Sequence, residues 1–145
     1  MHSNMAYGDI MRIDPDELGR AGHFSQAVRV DGPARILYLA GQVAGDDFAA
    51  AGSLDFERQL HAVLDRIERI LREGGMTLKD LVKVSGYITE RANVPVWRKV
   101  LLARLAHVRP VSTLVVVDLI DPRLLVEVDA IAATCSVRQG QAANE

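Results

Sequence analysis

The sequence has few of the residues on which thiol or metal chemistry depends. Its single cysteine, Cys135, excludes an internal disulfide and is typical of a protein from a reducing compartment. The four histidines are scattered without the spacing of metal ligands: His2, His23, His61 and His107. Glycine-rich phosphate loops, G-x-S-x-G elbows and C-x-x-C pairs are also absent. The sequence therefore lacks the strong motifs of metal sites, nucleotide-binding loops and serine hydrolases.

Long apolar runs and an excess of positive charge are missing as well. No apolar stretch approaches the roughly 20 residues that a membrane-spanning helix needs. The start of the chain, Met1–Asn4, lacks the basic end and the apolar stretch of a signal peptide, so we expect a cytoplasmic protein with no membrane partner. The formal net charge is -2, whereas a nucleic-acid-binding protein usually carries a basic excess. We therefore expect no nucleic-acid partner.

What the sequence does contain is enough apolar material for one folded domain. Of its 145 residues, 49% are hydrophobic and 25% are charged, as in ordinary globular domains. Only three Phe, three Tyr and one Trp are present, so aliphatic side chains must fill the core. We interpret residues 1–145 as a single domain, in which residues 1–20 form an irregular N-terminal segment and residues 137–145 form a frayed tail.

Hydrophobic periodicity predicts two helices. In the first, apolar residues recur at helical spacing from Phe56 to Leu71, with Ser53 or Asp55 as the N-cap and Gly74-Gly75 as the end. The second begins at Pro95, because proline is favourable in the first turn of a helix. It directs four apolar residues inward: Trp97, Val100, Leu101 and Leu105.

Short apolar or alternating runs predict five strands, at residues 26–31, 36–40, 81–89, 112–117 and 124–131. The first two strands flank Gly32-Pro33 and are expected to form a β-hairpin. Residues 41–52 are expected to form a loop. The predicted order ββαβαββ gives an α+β domain with a mixed sheet and both helices on one face.

The last predicted strand indicates that the sheet is partly apolar on both faces. Val126 and Val128 point to one side, whereas Ile131 shares the other side with Glu127. Since the helices cover one face only, association of sheets in a closed cyclic oligomer would bury the second face. An ordinary half-exposed sheet is the alternative that the pattern leaves open.

Two features of the strands are candidates for a functional site. Glu127 interrupts an apolar strand, where a carboxylate is costly unless it is paired or used. Its structural alternative is a glutamate at the sheet rim that bonds a neighbouring backbone or an arginine. The hydroxyls of Ser112 and Thr113 open a strand directly after a helix, which is also routine turn chemistry. The residues alone leave both interpretations open.

Several fragments, in their joint order and spacing, resemble the Rid (YjgF) family over roughly residues 20–135. They are Gly22–Val28, Leu37–Gln42, Phe56–Gln59, Leu71–Gly75, Asp80–Val84, Arg109-Pro110 and Val126–Ala132. The resemblance implies a chorismate-mutase-like α+β fold and a homotrimer, in which three sheets form a central barrel with the helices outside. It also implies small-molecule sites in clefts between subunits. Active members hydrolyse 2-imino or 2-enamino acids there to 2-keto acids and ammonia, without a metal or an organic cofactor.

The same resemblance implies that the ligand is an imine or a carboxylate. It also assigns roles to individual residues. Glu127 matches the catalytic acid that orients or activates the attacking water. Phe24 stands where the family often has a tyrosine beside the ligand, and Ala40 and Gly41 match a backbone stretch that lines the cleft. Arg98 lies near the position of a ligand-contacting asparagine. Residues at the start of the strand after Pro110 complete the expected substrate-binding set: Val111, Ser112 and Leu114.

The main departure from the family is Ser112. Deaminating members carry Pro-Ala-Arg here, and a serine hydroxyl cannot reproduce the two charge-assisted hydrogen bonds of an arginine to a carboxylate. This loss would weaken imino-acid binding by about 2–4 kcal/mol. Three other arginines are candidates to compensate: Arg98, Arg109 and Arg123. The sequence therefore favours an imine or enamine deaminase, with a non-catalytic ligand-binding or regulatory trimer as the alternative.

Overall fold

A computed structural model describes residues 8–19 and 22–135 of the chain. Its strands are β1 (Asp9–Ile13), β2 (Ala27–Asp31), β3 (Ala34–Gln42), β4 (Leu81–Ile88), β5 (Val111–Val116) and β6 (Val126–Cys135). Its α-helices are α1 (Phe48–Gly52), α2 (Phe56–Glu73) and α3 (Val94–Leu105). Short 3-10 turns occupy Asp16–Leu18, Leu78–Asp80 and Arg91–Asn93. The predicted frayed tail lies outside the described residues.

The strands form a four-stranded mixed sheet and a separate two-stranded ladder. In the larger sheet the order is β3-β6-β4-β5, with β4 and β5 parallel and the other neighbours antiparallel. β1 and β2 form the smaller antiparallel ladder. This arrangement confirms the predicted α+β class and the mixed sheet.

The predicted hairpin around Gly32-Pro33 is wrong. β2 pairs with β1, from Asp9 opposite Asp31 to Ile13 opposite Ala27, whereas β3 pairs with β6. The reason is that β1 takes the place of β3 as the partner of β2. β1 lies within residues 1–20, for which the pattern predicts an irregular segment. That segment therefore also departs from its prediction. The hairpin was predicted because β2 and β3 are adjacent along the chain. In the structure each of them pairs with a strand that is not its neighbour across Gly32-Pro33.

The first predicted helix is confirmed as α2. Asp55 is its N-cap, because its carboxylate accepts a hydrogen bond from the backbone N–H of Arg58 at 2.9 Å. The helix ends at Gly74, as the glycine pair predicts. Its inward face is fully buried in the core and consists of Leu60, Val63, Leu64, Ile67 and Leu71. The expected loop at 41–52 is partly wrong, since it contains the short helix α1, which Asp47 caps.

The second predicted helix is confirmed as α3, with Pro95 in its first turn and all four predicted apolar residues buried. Both long helices cover one side of the four-stranded sheet, which we call the helix face. On this face the strands bury a row of small and branched residues beneath the helices: Val84, Ile88, Val126, Val128, Ala130 and Ala132. Within the described residues, no helix is both long enough and apolar enough to cross a membrane.

The opposite side of the sheet, the open face, carries apolar and acidic residues together. Ile36 is 52% exposed and Tyr38 is 73% exposed, although both lie in the middle of β3. Glu127 and Ile131 of β6 lie on this same face, because they alternate with the buried residues of that strand. The single chain therefore has the two-faced sheet that the sequence predicts.

Candidate functional site

Four of the predicted site residues lie together in a small cleft at the edge of the sheet. The cleft has a volume of about 140 Å³, and we call it the inner cleft. It is lined by His23, Phe24, Trp97, Arg98, Ser112 and Leu114. The predicted residues Phe24, Arg98, Ser112 and Leu114 are thus brought together. The residues His23 and Trp97 are additions that the sequence did not assign to a site.

The inner cleft exists because α3 lies close to the sheet at Gly86. Ser112 and Leu114 of β5 lie opposite Val84 and Gly86 of β4, on the helix face. The indole ring of Trp97 packs directly on the backbone of Gly86, in the space that a Cβ atom would fill. Trp97 therefore forms one wall of the cleft, and the edge strand β5 forms the floor beside it.

The segment before β2 forms the opposite wall of the inner cleft. The rings of His23 and Phe24 meet edge to face, with their centroids 5.0 Å apart. Ser25 attaches this segment to β5 by a parallel bridge to Val111, and its N–H donates to the carbonyl of Pro110 at 3.1 Å. Val111 thus holds the wall in place through its backbone, whereas its side chain is not part of the cleft lining.

Arg109 has a structural role in the same wall. Its guanidinium donates to the carbonyl oxygen of Phe24 at 3.1 Å and pairs with Asp14 at 3.1 Å, and the two charged side chains are only 11% and 15% exposed. The Ser25 hydroxyl donates to the carbonyl of Arg109 at 2.6 Å. Arg109 also has a left-handed backbone, with φ of 52°. Its cation is therefore committed to Asp14 and Phe24 and is not available to a ligand.

The two other candidate arginines differ sharply in position. Arg123 makes a two-point ion pair with Asp121, with both N–O distances at 2.9 Å, and it does not line the inner cleft. Arg98 lines the cleft beside Ser112. Within the described part of the chain, Arg98 has no carboxylate at ion-pair distance. Arg98 is thus the candidate that can meet a ligand in this cleft.

A larger groove adjoins the inner cleft and shares three of its residues. This outer groove has a volume of about 650 Å³. Its lining consists of Gly22, His23, Phe24, Pro95, Arg98, Lys99 and Leu102. Arg98 therefore lies where a polar inner cleft meets a more apolar groove.

His23 is held in its neutral form by its surroundings. Burial disfavours the imidazolium ion and lowers the pKa of His23 below its ordinary value, and the charge of Arg98 lowers it further. At neutral pH the ring therefore offers one donor and one acceptor nitrogen rather than a second positive charge. Neither its spacing nor its neighbours in the sequence marked this histidine as a site residue.

The remaining predicted site residues form a second group on the open face. Ala40 and Gly41 are exposed near the end of β3, where a register shift interrupts its pairing with β6. The backbone of Gly41 lies against Glu127 so closely that a Cβ atom there would be 3.0 Å from the carboxylate carbon. Glu127 lies opposite Tyr87 of β4, whose hydroxyl donates to Asp129 at 2.8 Å.

The structure does not bring Glu127 into the inner cleft of its own chain. Glu127 points to the open face, whereas Ser112 lies on the helix face and Glu127 is not among the residues that line the cleft. Each group is chemically incomplete by itself. The inner cleft has a cation, a hydroxyl and aromatic walls, and the open face has a carboxylate beside an exposed backbone.

Comparison with known proteins gives a consistent family. The profile of the family described as endoribonuclease L-PSP matches residues 15–134. A RutC family protein of Pyrococcus abyssi is 29% identical over 114 residues, which cover 77% of this chain and 86% of that protein.

Two solved structures are similar over almost their whole length. A conserved Rid-family protein of unknown function from Yersinia pestis is 30% identical, with a TM-score of 0.73 over 86% of this chain and 98% of that chain. A YjgF/YER057c/UK114 family member from Mycobacterium tuberculosis is 28% identical, with a TM-score of 0.56 over 87% of this chain and 100% of that chain.

Proposed function

Since the chain belongs to the endoribonuclease L-PSP family, which the Rid and YjgF resemblance also indicates, we propose that it hydrolyses a reactive imine or enamine. The substrate is a small molecule, and the site lies in a cleft between subunits of a homotrimer. No cofactor takes part. The products are a carbonyl compound and ammonia.

The observation that carries this proposal is the division of the site residues between two faces of the sheet. The inner cleft holds Arg98 and Ser112, and the open face holds Glu127. Association of chains through their open faces would bury exposed apolar residues such as Ile36 and Tyr38. In the proposed trimer, the open-face carboxylate of one chain lies beside the cleft of its neighbour.

The reaction needs one proton-transfer group and one water molecule. An enamine first becomes an imine by gaining a proton at carbon and losing one from nitrogen. Glu127 then accepts a proton from water as the oxygen attacks the imine carbon, and it returns this proton to the nitrogen, which gives a carbinolamine. A second transfer through Glu127 moves the hydroxyl proton of the carbinolamine to the nitrogen, so that the C–N bond breaks, the carbonyl group forms and ammonia leaves. The Ser112 hydroxyl and the guanidinium of Arg98 hold the polar end of the substrate.

Ammonia release tests this proposal. The protein is incubated with 2-aminoacrylate and with larger imines generated in the assay, and ammonia is followed over time. We expect acceleration over buffer, and a loss of about a hundredfold or more in the Glu127→Gln variant, since the isosteric amide cannot accept the proton. Glu73→Gln, at an exposed position of α2, is the matched control and should keep the full rate.

The alternative is a ligand-binding or regulatory trimer that keeps the cleft without the reaction. Ser112 favours it, because this serine replaces the arginine that deaminating relatives use. A wild-type protein that accelerates none of several imines, yet binds their keto-acid products, would support this alternative and contradict hydrolysis.

Ribonuclease activity, which the name of the family profile describes, is not the function that we propose. The formal net charge of -2 gives little electrostatic attraction for a polyanion. The chemistry of the inner cleft, with one arginine between aromatic walls, is better suited to a single carboxylate than to a phosphate backbone.

A further inference from the structure

Arg98 lines both the inner cleft and the outer groove, and this position indicates which kind of substrate the site can hold. Arg98 extends from α3 to the point where the inner cleft and the outer groove meet. A ligand that contacts its guanidinium can therefore extend in two directions. One direction leads to Ser112 and the other leads along the surface of α3 toward Leu102.

The inner cleft provides the charge for an anionic end. Within the described residues, Arg98 is the one permanently charged side chain of its lining, and no carboxylate of the described chain neutralises it. A guanidinium binds a carboxylate through two parallel hydrogen bonds, and Ser112 beside it can donate a third. Phe24 and Trp97 form aromatic walls beside this contact.

The outer groove provides an apolar space next to this charge. Leu102 is 49% exposed, although it is a large apolar residue. Its methyl group lies close to Gly22, where a Cβ atom would be 2.8 Å away. Phe24 and Pro95 continue the apolar lining. A branched or aromatic substituent would cover these surfaces, whereas the single methyl group of pyruvate would leave them exposed to water.

We propose that Arg98 replaces the missing family arginine as the carboxylate-binding residue, and that the outer groove selects imines or enamines of amino acids with large apolar side chains. This inference rests on the proposed function, because it names the substrate class of the same site. The carboxylate lies on Arg98 and Ser112, and the apolar substituent lies on Leu102 and Phe24.

Equilibrium binding of stable 2-keto acids, the products of the proposed reaction, tests the inference without turnover. Calorimetric titration with 4-methyl-2-oxopentanoate and with pyruvate measures the two parts separately. We expect the branched acid to bind about tenfold or more tightly than pyruvate, because it buries more apolar surface. Arg98→Ala should weaken the binding of both acids by about 10- to 100-fold. Arg98→Lys should recover only part of this loss, since an ammonium group cannot form the paired contact.

Two further variants separate charge from apolar contact. Leu102→Ala should reduce the preference for the branched acid by about threefold or more and leave pyruvate binding nearly unchanged. Arg123→Ala is the matched control, because Arg123 is paired with Asp121 and does not line either space. It should bind both acids as the wild type does.

Each negative result has its own meaning. Unchanged binding in Arg98→Ala, or no binding of either acid to the wild type, would overturn the assignment of Arg98. Equal affinity for the two acids would overturn the selection by the outer groove. Ammonia release by the wild type that Arg98→Ala leaves intact would reject Arg98 and keep hydrolysis. Arg98-dependent binding without any ammonia release would reject hydrolysis and keep the carboxylate site.

Discussion

Gly86 determines how closely α3 approaches the sheet, and therefore the shape of the inner cleft. A Cβ atom at this position would overlap the ring atoms of Trp97, whose side chain is 1% exposed and cannot move aside without displacing the helix. We expect Gly86→Ala to lower the free energy of unfolding by about 1–3 kcal/mol, which is the usual cost of overpacking a core. Urea denaturation measures this change.

The matched control for Gly86 is Gly45, where an added Cβ atom would meet nothing within 4 Å. Gly45→Ala should change the free energy of unfolding by no more than about 0.5 kcal/mol. Equal stability of Gly86→Ala and the wild type would show that Trp97 does not depend on this close contact.

At the scale of single residues, the sequence could identify the candidates but not their contacts. Arg98, Arg109 and Arg123 looked equivalent as replacements for the family arginine. Their roles differ because of their partners: Arg109 meets Asp14 across the fold, and Arg123 turns back onto the nearby Asp121. No periodicity or spacing encodes such pairings, so only the folded chain could separate Arg98 from the other two. His23 was missed for the same reason.

Gln59 of α2 connects the helix to the start of β6. Its side chain is completely buried, and all its hydrogen bonds go to backbone groups. The amide donates to the carbonyls of Leu54 at 3.2 Å and Arg123 at 3.1 Å, and its oxygen accepts from the N–H of Leu125 at 2.9 Å. This residue therefore fixes the loop that leads into the strand of Glu127.

We expect Gln59→Leu to destabilise the protein by about 2–4 kcal/mol, because it leaves buried backbone groups without hydrogen-bond partners. The exposed Gln26→Leu is the matched control and should change stability by no more than about 0.5 kcal/mol. Chemical denaturation measures both. A Gln59→Leu variant as stable as the wild type would mean that water or a rearranged loop satisfies those groups.

At the scale of elements, long periodic segments were predictable and pairings were not. The apolar repeat of α2 and the proline at the start of α3 identified both helices, since each pattern repeats over several turns. The five residues of α1, Phe-Ala-Ala-Ala-Gly, are too few to show a period. The hairpin prediction failed because β1 competes for β2, and a strand of five residues gives little signal.

At the scale of the whole molecule, the sequence predicted a sheet with two partly apolar faces. The single chain contains such a sheet. Exposed Ile36 and Tyr38 on the open face explain why association is expected. The residues predicted for one site are divided between two faces, and this division could not be predicted from the strand pattern alone. Whether a position faces the helices depends on the register of β5 against β4 and of β6 against β4.

Mixing of two inactive variants tests most directly whether the site is shared between subunits. Arg98→Ala chains and Glu127→Gln chains carry different affinity tags and are produced together. Purification on both tags isolates the mixed assemblies, which are then assayed for ammonia release. If each site takes Arg98 from one subunit and Glu127 from the next, every mixed trimer contains one intact site among its three and recovers about a third of the wild-type rate. Mixed assemblies as inactive as each variant alone would place both residues in the site of one chain and contradict this account.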